Sequence, residues 1–97
     1  MRLISQNGEI DVPYEKVILG ICDQNNGQEY VIYAYHDSPR PLFIATYSNT
    51  DKALKVMEML REQYMRNNAL YIDRENNARV IPQNSLFKFP ADEEVEV

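Results

Sequence analysis

The sequence predicts an α+β domain: an antiparallel β-meander of about four strands packed against one amphipathic helix, with a C-terminal hairpin or short strand completing the sheet. Three observations predict it. Runs of β-branched and aromatic residues alternate with polar turn clusters through the first half of the chain. The connections between those runs are too short for a βαβ crossover, so neighbouring strands pair antiparallel. Near residue 50 the apolar spacing changes from every second position to every third or fourth, which is helical.

The first element is a hairpin. Arg2–Gln6 and Glu9–Val12 flank Asn7-Gly8, a pair that accommodates the positive φ angles of a type I′ turn. On the return arm Ile10, Val12 and Tyr14 alternate with Asp11, Pro13 and Glu15, and Pro13, lacking a ladder donor, belongs at an edge or bend. Lys16–Cys22 follows as a nearly continuous apolar strand. The cluster Asp23-Gln24-Asn25-Asn26-Gly27 turns the chain, with a positive-φ residue at its end. Gln28–His36 returns as a strand rich in Tyr, Val and Ile, Ser38–Pro41 turns again, and Leu42–Tyr47 is a further strand.

The helix is expected over Thr50–Arg66. Ala53, Val56, Met57, Leu60 and Tyr64 fall within about 80° of one another at 100° per residue. Ser48 or Asn49 can cap it, and Ser48 with Asp51 approximates a capping box. Lys52, Lys55, Glu58 and Glu62 populate the opposite face, where Glu62 and Arg66 can pair. Ala69–Asp73 and Ala78–Pro82 then form a second hairpin, and Leu86–Phe89 a final short strand ended by Pro90.

At 97 residues the chain holds one modest core, here residues 1–90 as a single domain. Fifteen acidic against ten basic side chains leave a net charge of −5, but Asp92, Glu93, Glu94 and Glu96 supply four of the acids. The body is therefore close to neutral, and residues 91–97 read as an acidic, disordered, solvated tail. No apolar run approaches the roughly 20 residues of a membrane span, and the N-terminus shows no signal-peptide pattern. The lone Cys22 has no internal disulfide partner and reads as a buried, reduced thiol of a cytoplasmic protein.

One cysteine, one histidine and three glycines are poor equipment for catalysis. Cys22 and His36 could meet across the second hairpin, yet Asp37 should point away from the imidazole, and no oxyanion site accompanies the pair. His36, Asp37 and Asp23 lack the clustered spacing of a metal site. The expectation is thus no enzyme, no cofactor and no metal.

The seven tyrosines point instead to contact. Tyr33 and Tyr35 share one strand face, and Tyr30, Ile32 and Ala34 the other; if one face packs on the helix the opposite one presents rings, the alternative being that a partner subunit or the C-terminal strands cover it. The expected contact residues are Tyr33 and Tyr35 together with Asp92, Glu93, Glu94 and Glu96 of the tail. Leu54, Met59 and Met65 add apolar surface off the main helical stripe. The partner expected is a protein, either another protein of the host or a second copy joined at an apolar strand edge. An alternative is single-stranded nucleic acid stacked on the sheet aromatics, with Arg40, Arg74 and Arg79 on phosphates. The acidic balance weighs against it, because Gln28–Tyr47 contains only Arg40 as a cation.

Three segments carry a resemblance. They are Arg2-Leu3-Ile4-Ser5-Gln6-Asn7-Gly8 leading into Ile10-Asp11-Val12-Pro13-Tyr14-Glu15, Tyr47-Ser48 leading through Lys52-Ala53 into Lys55-Val56-Met57-Glu58-Met59-Leu60-Arg61 and Tyr64, and Phe87-Lys88-Phe89-Pro90 followed by Asp92 and the Glu-Val-Glu-Val end. In these the chain resembles a family of short Firmicutes proteins, particularly of clostridia and their phages and prophages. The resemblance implies a setting, a bacterial cytosol and a mobile element, in which small proteins act as inhibitors or regulators of a host protein. It implies no functional residue.

Overall fold

The computed structural model describes residues 1–67, 70–72, 78–80 and 86–97. In chain order its strands are β1 (Arg2–Ile4), β2 (Asp11–Pro13), β3 (Ile18–Gln24), β4 (Glu29–Tyr35) and β5 (Leu42–Tyr47). Helix α1 (Thr50–Asn67) follows, then β6 (Leu70–Ile72), β7 (Ala78–Val80) and β8 (Leu86–Lys88). Short 3₁₀ turns occupy Tyr14–Lys16 and Asp92–Glu94. The chain is α+β, as its patterning predicts.

The strands divide among separate sheets. β3, β4 and β5 form an antiparallel meander, whereas β1 lies between antiparallel β2 and parallel β8, and β6 pairs with β7. The meander therefore has three strands, and the last strand completes the sheet of the first hairpin instead. Leu3 explains that arrangement. It faces Val12 on one side and Phe87 on the other, and all three are buried. An apolar strand with both neighbours supplied buries more surface than a hairpin left alone, which is marginal in water.

The first turn differs from the expected type I′. Gly8 donates to the Ser5 carbonyl at 2.9 Å, so Gln6 and Asn7 are the central residues, and of the turn residues only Gly8 has a positive φ, +81°. Side chains explain the shift: Asn7 Oδ1 accepts from the Glu9 amide, and Ser5 Oγ from the Ile10 amide. Pro13 sits on edge strand β2, as expected.

Between β3 and β4, Asn25 (φ +53°), Asn26 (φ +56°) and Gly27 (φ +83°) all adopt left-handed backbone, which Asn tolerates better than most residues. Register shifts between Ile32 and Tyr33 of β4: Ile32 faces Ala45, but Tyr33 faces Phe43. Ile44 is thus the extra residue of a bulge, and Ile44 and Ala45 are both buried.

Helix α1 packs its Ala53–Val56–Leu60 stripe on β4 and β5, beside Ile32, Ala34 and Tyr47. Asn49 caps it, accepting from the Lys52 amide at 2.8 Å, so the Ser48–Asp51 capping box is not the device used. No helix among the described residues is long and apolar enough to cross a membrane.

The acidic tail departs most from expectation. Val95 is 5% exposed in the core, beside Phe89 at 1%. Asp92 accepts from the Ser48 amide at 2.7 Å, and the Lys52 ammonium donates to its carbonyl and carboxylate. Charge density suggested a free end. Alternating Val95 with Glu94 and Glu96 instead lets one side chain enter the core while its neighbours stay wet.

Candidate functional site

The meander has two unlike faces. Tyr30, Ile32 and Ala34 turn toward α1, and Tyr33 and Tyr35 turn away. The free face also carries Ile18, 72% exposed, and Phe43, 55% exposed. Its rings have partners within the face. Tyr33 and Tyr35 meet edge-on at 5.6 Å and 84°, and Tyr33 folds over Gly20, the residue opposite it on β3. A Cβ at Gly20 would overlap the Tyr33 hydroxyl, so the glycine makes the ring's seat. Cys22, Tyr33, Tyr35, Pro41 and Phe43 line a shallow groove of about 290 Å³.

Of the residues marked from sequence, Tyr33 and Tyr35 come together on this face. The acidic set does not join them. Asp92 is turned inward against Ser48 and Lys52, at the Tyr47 end of β5 and on the helix side. Glu93, Glu94 and Glu96 are exposed, and Glu94 Oε1 accepts from the Ala91 amide at 3.2 Å. Lys52, placed by pattern on the solvent face, is half-buried by its pairing with Asp92. Phe43, Pro41 and Ile18 were not marked. Reading Ile18 required knowing that β3 is an edge, and reading Phe43 required the bulge.

The rejected constellations fall apart in detail. Cys22 faces Val31 and Ile18 faces Tyr35, so His36 lies beyond the far end of the ladder from the thiol. Asp37, expected to point away, stands 3.6 Å from His36 Nε2, because its own φ of +54° breaks the strand alternation. Cys22 is half-buried on the groove side rather than buried in the core. Among the described residues, no three of His, Cys, Asp and Glu converge as metal ligands do. Arg74 and the side chain of Arg79 lie outside the described residues.

Electrostatic perturbation gathers elsewhere. The Ser48 amide and the Lys52 ammonium hold the Asp92 carboxyl below its ordinary value. Burial, aided by the nearby Asp92 and Glu94 carboxylates, pushes the Tyr47 hydroxyl well up, so it stays a donor to the Pro90 carbonyl at 2.8 Å. Contact with the Met1 ammonium lowers Glu15. These groups tie segments of the fold together, and none of them lines the aromatic groove.

The meander has two unlike edges as well. Gln6 closes the β5 edge: its amide N–H donates to the Ile44 carbonyl at 2.9 Å, and its side chain accepts from the Thr46 amide and donates to the Thr46 carbonyl. β3 is the other edge, and among the described residues nothing pairs with its outer side.

Fold and surface together define an α+β protein with an open aromatic sheet face beside an open strand edge. No protein-family model matches the chain, and neither does any curated protein or solved structure.

Proposed function

We propose that this is a non-enzymatic binding module that grips a partner protein with the aromatic face of its meander. In the phage-type bacterial setting that its resemblance implies, such a module regulates or inhibits a host protein, in a reducing cytosol where Cys22 stays a thiol. One observation carries the reading: Ile18, Tyr35 and Phe43 are exposed on a single face around a ring-lined groove. Aromatic residues grouped in this way are costly to leave in water and supply contact area at small entropic cost. The helix already fills the opposite face.

The test uses wild-type protein and a Tyr35→Ser, Phe43→Ser variant as baits for clostridial lysate, with circular dichroism to establish that both are folded. The wild type should retain a protein that the variant loses, with a fall in affinity of about 30-fold per anchoring ring. Equal retention by both baits defeats the assignment of this surface. Retention of single-stranded nucleic acid alone, released steeply by salt, defeats the protein-binding reading itself.

A further inference from the structure

We infer that two copies of this chain join through the outer edge of β3, antiparallel about a two-fold axis at Gly20, into one six-stranded sheet. The inference stands apart from the function proposed above, since it concerns the strand edge and requires no other partner.

The edge itself is the first argument. β3 is seven residues long, and its outer side has no backbone partner among the described residues, while Gln6 blocks the corresponding side of β5. An unpaired apolar edge of this length is the template on which another strand pairs. Natural edges are usually guarded by inward-pointing charge, proline or covering loops. Residues 18–22, Ile-Leu-Gly-Ile-Cys, contain none of the first two.

The register follows from symmetry. A two-fold normal to the sheet preserves its faces, so residue i must stand opposite a residue of the same face. Centring on Gly20 sets Ile18 against Cys22 of the other copy and Leu19 against Ile21, apolar on apolar. Centring on Ile21 instead sets Leu19 against Asp23 inside the ladder, burying a carboxylate among apolar side chains at a cost of several kcal/mol, whereas about Gly20 Asp23 falls opposite Val17, outside β3 and at the end of the ladder. At the axis the two Tyr33 rings, each seated over its own glycine, approach one another.

Charge complements the same register. Lys16 ends the 3₁₀ turn before β3 and Asp23 lies near the end of β3, both exposed, and no ion pair holds either one among the described residues. Antiparallel pairing about Gly20 sets Lys16 of each copy opposite Gln24 of the other, one position from Asp23. Neighbouring Glu15 is already matched by the Met1 ammonium and offers little repulsion. On the helix side, an open groove of about 350 Å³ runs between Val17, Leu19 and Met57, with Arg61 also in its wall, and the other copy's Ile21 and Asp23 would face it.

The experiment is sedimentation of the full chain with a charge swap and a cross-link. Wild-type protein should sediment as a dimer. Gln24→Lys alone should set a lysine against Lys16 of the other copy and raise the dissociation constant about tenfold, and adding Lys16→Glu should restore it. Within one chain these residues are too far apart along the strand to pair, so rescue reports contact between copies. Ile18 is exposed, so Ile18→Cys keeps the fold, and mild oxidation should link it to Cys22 of the other copy at a cross-strand spacing disulfides accept. Adding Cys22→Ala should abolish that link. A wild-type monomer at high concentration overturns the inference, and so does a dimer indifferent to both the charge swap and the cross-link.

Discussion

Gly20 and Tyr33 show how a single residue shapes the open face. A glycine inside a strand weakens it unless something uses the space, and here a tyrosine ring does. Gly20→Ala is therefore expected to displace Tyr33 and break its edge-on contact with Tyr35, lowering stability by about 1 kcal/mol. Denaturant unfolding measures the cost, and proton NMR measures the ring current. The Gly20 α-protons should lie upfield in the wild type, and that shift should vanish in a Tyr33→Leu variant. Gly20 α-protons at ordinary positions in the wild type would refute the stacking. None of this was legible in the sequence, because a cross-strand neighbour eleven or more residues away is chosen by register. Tyr33 and Tyr35 were legible as a pair, since period two alone puts them on one face.

At the scale of an element, helix α1 was the most readable part of the chain. Its apolar stripe and Asn49 cap follow from local spacing and local hydrogen bonding, which need no knowledge of distant residues. What lies around its first turn was not readable. Asp92 arrives from 44 residues away to accept from the Ser48 amide and to pair with Lys52. Its carboxyl titrates below the ordinary value. A depressed carboxylate stabilises the fold above its unfolded pKa of about 4, and that contribution disappears as pH falls through the lower folded value. Asp92→Asn should therefore lower Tm at pH 6, by the equivalent of about 1 kcal/mol, and match the wild type near pH 2. A difference that persists unchanged at low pH would mean that charge is not the cause.

Across the whole molecule, the C-terminal segment acts as a clasp. β8 lies beside β1, Phe89 and Val95 enter the core, and the Pro90 carbonyl accepts from both Tyr47 and Gln6. Val95→Ala should accordingly cost about 1.5 kcal/mol, the value of two buried carbons, whereas a solvated tail would lose nothing. Thermal unfolding of the two proteins distinguishes these outcomes. The same clasp means that deleting 91–97 would disturb folding as well as charge, so the exposed Glu93 and Glu96 are the better positions at which to probe the acidic surface.

By itself the sequence determined the α+β class, the positions of the meander strands, the helix and its limits, and the pairing of two tyrosines on one face. Each is a consequence of periodicity or of a turn residue's own conformational preference, acting over a few positions. Tertiary structure alone decided which sheet received the last strand, that the acidic end is held down and, among the described residues, which face stayed open and that β3 rather than β5 kept a bare edge. Those outcomes depend on contacts between segments 40 to 85 residues apart, such as Gln6 with Thr46 and Pro90. Such contacts are set by competition among all apolar surfaces for one core, a contest with no local signature.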